Sequence, residues 1–320
     1  MTKNKQPNLK GTIINQFNTN FSKCLYLNNE CKHKVSEAHS IQNKRVLDIM
    51  ADKGHVFMLK PNLNFNTPPI PEFKLIGINE ATTFTGLCNN HDTELFRPID
   101  TETISTDNLK HLFLLAYRSL FKTLYTKMKI GLDSEMIFLI NNKNNSKVNE
   151  LFENRATTDL LDAWVFWKYK NNFDKIYINK NYELVSHLCI EVESVMPTIA
   201  ASSVYSLKSN LDLNDDSIID PQFIVLNIFP NSNKYSIIFS FLKKHTSIVI
   251  QHLDDIKLSK GDYQKYLISK LVLTYCENFV LSPKYVSTFS EEKRNNIINF
   301  YIKNLFLEKY DSNDTNLYLF

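Results

Sequence analysis

Glycine is scarce in this chain of 320 residues: there are only 6, none adjacent to another. Loops that cradle phosphates need clustered glycines, so no Walker or dinucleotide-type fingerprint exists here. Long apolar runs are missing as well. No stretch approaches the ~20 residues that span a bilayer, which predicts no membrane partner. The opening MTKNKQPNLKGT lacks an apolar segment and does not read as a secretory leader. Five cysteines, an odd number in a large chain, do not make a disulfide framework. Strong charge of one sign is absent too, the net being +3. Together these absences predict a reducing, cytoplasmic setting, where clustered cysteines serve as ligands rather than bridges.

What the chain does contain is ample material for a core, with 43% hydrophobic and 12% aromatic residues. Asn, Lys and Ile are abundant, a bias that weakens any argument from Asn or Lys clusters. Residues 1–60 hold ten Lys/Arg against four Asp/Glu, a net of +6. That balance suits a polyanionic partner, and equally a solvated lysine-rich surface.

Periodicity predicts the organisation. A short polar helix is expected over 8–22. Another is expected over 41–53, capped by Ser40, with Val46, Leu47, Ile49 and Met50 inward and Gly54 at its end. GHVFMLK reads as a strand, LNFNTPPIPEF as an irregular proline-rich excursion, and HDTELF as a helix start. The polar stretch 100–108 is the best boundary, dividing 1–105 from 106–320. After it, Leu109, Leu112, Phe113, Ala116, Leu120, Leu124 and Met128 share one face of a long helix. A helix over 158–170 carries Trp164 and Trp167 as packing residues. Strands follow at 183–195, 198–207, 222–230 and 234–243, the last two joined as a hairpin at 230–233, with another strand at 246–252. Helices over 262–279 and 290–310 complete an α+β part built on an antiparallel sheet with flanking helices.

Metal-type ligands concentrate in the first hundred residues. Cys24 and Cys31 lie in KCLYLNNECKHK, His39 in SEAHSIQ, and Cys88 and His91 in GLCNNHD. A two-residue spacer lets Cys88 and His91 reach one ion, and Gly86 permits a turn before them. With Cys24 and Cys31 they complete a four-ligand set of the kind zinc prefers. The competing reading makes the three cysteines small buried hydrophobes and His91 a surface residue. Elsewhere, His187, Cys189, Glu191 and Glu193 alternate along one strand, as any half-exposed strand would. Cys276 reads as core. Ser202 and Ser203 have no nucleophile elbow.

The order of a cysteine pair, a histidine in a short His-Ser-Ile segment and a Leu-Cys-x-x-ligand knuckle resembles the zinc-containing HNH endonucleases, a treble-clef, ββα-metal family. The resemblance covers about residues 20–100. It implies that Cys24, Cys31, Cys88 and His91 hold a structural zinc and that His39 is the general base. It further implies that Asp92, just after the last zinc ligand, helps hold a catalytic Mg or Mn ion. Ala38 stands where the family carries an acid, so a second ligand must come from elsewhere, with Glu37, His33 and His55 nearest in sequence. His39 has two other readings, a competing zinc ligand or a helix cap. Two functions follow. One is a metal-dependent nuclease acting on DNA or RNA, with bacterial (antiphage) defence or mobile-element biology by analogy. The other is a non-catalytic zinc-stabilised binding or scaffold protein whose larger part, 106–320, recognises a protein partner or ligand.

Overall fold

The computed structural model describes residues 22–27, 31–62, 70–143, 150–207, 220–305 and 317–320. The helix expected over 8–22 lies almost wholly outside them. Strand β1 (Val35–His39) pairs antiparallel with β4 (Thr83–Cys88), and these two form a sheet of their own. Helix α2 (Asn89–Thr101) leaves directly from the end of β4. Between β1 and β4 lie a short helix and a hairpin. The helix is π-wound over Asn43–Leu47 and continues as α1 (Asp48–Met50). The hairpin is β2 (His55–Asn62) with β3 (Ile70–Gly77).

That short helix differs from the sequence expectation. Gln42, not Ser40, precedes it, because the Ser40 hydroxyl donates to the carbonyl of Thr82 instead. Its inward residues are Val46, Leu47 and Met50, while Ile49 faces solvent. The proline-rich stretch also differs, since Ile70–Gly77 is a strand. Proline withholds a ladder donor, and β3 accommodates Pro71 because it is the edge strand of its sheet.

The two long helices pack against each other. Helix α3 (Leu109–Lys143) starts where the Asn108 side chain accepts the N–H groups of Lys110 and His111 at 3.0 and 3.2 Å. Helix α4 (Glu150–Asn179) is longer than the expected 158–170, and Trp164 lies on its exposed side. Where the two helices meet, a Cβ on Gly131 would stand 3.2 Å from Leu160 and 3.3 Å from the Asp159 carbonyl.

The remaining strands match the sequence expectation closely: β5 (Val185–Glu193), β6 (Ile199–Ser206), β7 (Phe223–Asn231) and β8 (Lys234–Leu242). Residues 246–252 do not form a strand. They open helix α5 (Thr246–Leu258), in which Val249, Leu253 and Ile256 recur at helical spacing and are buried. Helix α6 (Gly261–Tyr275) also stops short of the expected 279, and Phe279–Leu281 forms strand β9. Helices α7 (Pro283–Val286) and α8 (Glu291–Leu305) follow.

All seven larger-sheet strands pair antiparallel, in the order β3-β2-β9-β6-β7-β8-β5. The fold is thus α+β, and two strands of the large sheet come from the first eighty residues. The interior strand β7 is buried on both faces. Phe223 and Val225 pack with α3 and α4, while Ile224, Leu226 and Ile228 pack with α5, α6 and α8. An apolar run without alternation, FIVLNIF, is what such a doubly covered strand requires. Among the described residues no helix is long and apolar enough to cross a membrane.

The α3–α4 core encloses an ion pair. Lys170 donates to Asp174 at 2.7 Å, both are buried, and the Tyr117 hydroxyl donates to the same carboxylate. Burial pushes the lysine down and the carboxyl up, and each partner holds the other charged. Lys170→Met should destabilise the chain by about 3–5 kcal/mol, because it strands a buried carboxylate. Denaturant unfolding is the check, and the pair Lys170→Met with Asp174→Leu should recover much of the loss.

Candidate metal centre

Cys24, Cys31, Cys88 and His91 converge, with their four ligand atoms all within 4.8 Å of one another. The Cys24 sulfur lies 3.5 Å from His91 Nδ1, the Cys88 sulfur 3.3 Å from the same nitrogen, and the Cys31 and Cys88 sulfurs 3.8 Å apart. Tetrahedral zinc, with bonds of about 2.0–2.3 Å, requires ligand–ligand edges of roughly 3.4–3.8 Å. The cluster can therefore hold a metal ion, and its donor set is one zinc accepts.

Local structure explains the convergence. Cys88 is the last residue of β4 and the N-terminal cap of α2, so His91 sits in the first helical turn, three residues on. The Tyr26 ring stacks on the His91 ring at 3.8 Å and 14°, which fixes its plane. The Leu25 amide donates to the Gly86 carbonyl at 2.8 Å and docks the Cys24 segment on β4. Gly86 makes no turn, contrary to expectation. It lies within β4, and its missing Cβ leaves room for the Leu25 side chain, which a Cβ would meet at 3.3 Å. The Cys88 amide points to the Cys24 sulfur at 3.4 Å, a contact that favours a thiolate. Without a cation, burial pushes the Cys24 thiol up to about 11, so a bound metal is what would make it an anion.

His39 and Asp92 border a neighbouring cavity of about 230 Å³, together with Glu37, Asp100 and Arg118. His39 ends β1 and is half-buried. It donates its Nε2 hydrogen to the Ile78 carbonyl at 2.9 Å, so in the neutral ring Nδ1 carries the free lone pair. It is not among the clustered metal ligands, and its ring caps no helix N-terminus. Asp92 lies in the first turn of α2. Its Oδ1 is buried with no hydrogen-bond partner among the described residues. Burial raises its pKa, opposed first by the Arg118 charge and, further down, by His39, while Asp100 adds to the rise.

Arg118 and Asp100, which belong to no sequence motif, also border the cavity. Arg118 grips Asp100 through two hydrogen bonds, 2.8 and 2.6 Å, and its guanidinium lies 4.3 Å over Phe96. Its one sequence signal is a lone arginine inside the apolar run Leu112–Leu124. Ala38 is buried and offers no ligand atom. Of the substitutes, only Glu37 borders the cavity; His33 and His55 do not. Ser36 pairs with Leu87 but Ala38 with Phe84, so β4 carries one extra residue, Thr85 and Gly86 together facing Glu37 of β1.

The alternating set on β5 does not assemble a site. His187 pairs with Ser240 at 2.8 Å, Glu191 with Lys234 at 2.7 Å, and Cys189 and Glu193 are exposed. Cys276 is buried, and burial pushes its thiol up to about 12. Ser202 is buried beside Ser119, 2.8 Å away, in the interface between α3 and the sheet.

Comparison of the chain with protein-family models, curated proteins and solved structures returns no match. Any function must therefore be argued from the site itself.

Purified protein should carry about one zinc ion per chain by elemental analysis. Cys88→Ser should abolish that content and lower unfolding stability by more than about 3 kcal/mol, since metal loss belongs among the large effects.

Proposed function

We propose that this protein is a zinc-stabilised, metal-dependent nuclease of the HNH type. The reading takes residues 1–105 as the catalytic module and 106–320 as the body that carries it, in a cytoplasmic setting. In it, the Cys24–Cys31 segment, the β1–β4 pair and α2 make up the treble clef, with the intervening helix and hairpin an insertion. The single observation that carries the proposal is the shared cavity. A histidine with an uncommitted Nδ1 and an aspartate with an unpartnered buried oxygen border it together, each held next to the Cys/His cluster by its own element.

The chemistry follows from these residues. A divalent ion such as Mg or Mn would supply Lewis acidity to the scissile phosphate. Asp92 offers it a hard oxygen, and Glu37, also at the cavity, offers a second, since the third carboxylate there, Asp100, is held by Arg118. His39 accepts the proton of the attacking water at Nδ1, with Nε2 anchored on Ile78 so that the ring cannot turn away. Arg118 contributes positive charge near the phosphate while Asp100 fixes its orientation.

The buried methyl of Ala38, where an acid would complete the metal site, favours a second reading. In it the zinc is structural and the protein is a non-catalytic binding or scaffold protein. Incubation of zinc-loaded protein with plasmid DNA and with RNA, in Mg or Mn, separates the two. His39→Ala should slow cleavage by about 100-fold or more, the usual contribution of a general base, while zinc content stays unchanged. Intact substrates with wild-type protein in both metals would sink the nuclease reading and leave the scaffold.

A further inference from the structure

A second cavity, of about 320 Å³, begins one helical turn beyond Arg118 along α3. Three lysines border it: Lys60 from β2, and Lys122 and Lys127 from α3. Lys127 is neutralised by Asp162 of α4 at 3.1 Å. The other two are not. The Lys122 ammonium donates to the Thr83 carbonyl at 2.9 Å, a neutral acceptor, and keeps two further donors. Lys60 sits at the rim with no ion pair among the described residues. Glu277 is the one other carboxylate at the cavity, and no salt bridge joins it to either lysine.

Burial first, and then the neighbouring Lys60 charge, holds the Lys122 ammonium down to about 8. A half-buried ammonium beside a like charge is costly unless an anion joins it, and the Glu277 charge offsets the two lysines only in part. A third donor is available. Tyr205 lines the same cavity, and its hydroxyl is buried without a hydrogen-bond partner among the described residues. Its ring stacks on Tyr275, 4.7 Å away at 15°, and the half-exposed Tyr275 also lines the cavity. Two lysine point charges and a hydroxyl suit a tetrahedral oxyanion better than a planar carboxylate, which arginine forks match. An aromatic wall beside them suits a flat base. The volume is within the range of small-ligand sites.

We propose that this cavity binds a nucleotide phosphate, with Lys60, Lys122 and Tyr205 on its oxygens and Tyr275 beside its base. The phosphate comes either from a free nucleotide or from a nucleic-acid strand, and the chemistry at the lysines is the same for both. The inference does not depend on the zinc cluster or on cleavage.

The test is calorimetric titration of the full zinc-loaded His39→Ala chain at fixed ionic strength and pH 7. The probes are inorganic phosphate, adenosine 5′-monophosphate and a six-nucleotide single strand. Lys60→Gln and Lys122→Gln should each weaken nucleotide or strand binding by about fivefold or more, the scale of a lost charged hydrogen bond. Lys60 is exposed, so its variant tests the idea even if Lys122→Gln disturbs folding. Saturable binding of the monophosphate assigns the site to a free nucleotide. Binding of the strand alone, with the same lysine dependence, assigns it to nucleic acid. The proposal is overturned if neither nucleotide probe saturates, if inorganic phosphate alone binds, or if Lys60→Gln changes affinity by less than that factor.

Discussion

Burial of helix α3 is the constraint on which the other parts depend. Phe113, Tyr117, Phe121 and Leu124 have essentially no exposed surface. They share one core with Leu87 and Cys88 of β4, Leu95 and Phe96 of α2, Phe173 of α4, and Val225 of the sheet. Aromatic side chains of this size contribute about 3–5 kcal/mol each when buried. The β1–β4 pair is only two strands, too little for independent stability. It is held because α2 and α3 cover it. The same helix supplies Arg118 to one cavity and Lys122 to the next, so both are positioned by one rigid element.

The Cys/His cluster works at shorter range. It ties a segment with little regular structure to the corner where β4 becomes α2. Strand end, helix start and ligand pair coincide there, so a metal would fix the first turn of α2 and with it Asp92. From the other side, the segment after β1 clamps the far end of α2. The Gln42 amide reaches the Ile99 carbonyl, and the Arg45 guanidinium reaches the carbonyls of Thr101 and Glu102. Cationic groups on the last carbonyls of a helix also complement its dipole. The cavity of His39 and Asp92 is closed by elements distant in sequence.

Much of this was legible in the residues, but unevenly. The strands β5 to β8 were readable because runs such as FIVLNIF and KYSIIFSFL are long and rich in β-formers. The long helix after residue 108 was readable from its apolar spacing. Residues 246–252 misled because Ile-Val-Ile suits a strand locally, yet its buried positions follow the helical period. Strand β9 escaped because three residues carry no periodicity, and their pairing to β2 and β6 is wholly non-local. The prolines of residues 61–71 suggested irregular chain, since only the sheet order shows that Pro71 lies at an edge.

The sequence by itself determined the ligand types. Three cysteines and a histidine in two short segments point to a soft-metal set wherever those segments meet, because donor chemistry is a property of side chains. It also determined the strands β5 to β8 and the long helix α3, because periodicity is local. Tertiary structure alone decided that the two segments do meet, 57 or more residues apart, at edges of 3.5 and 3.8 Å. It alone joined His39 to Asp92, Arg118 to Asp100, and Lys60 to Lys122. Each of these pairings depends on where α3 packs, a balance of buried area summed over the molecule that no single segment encodes.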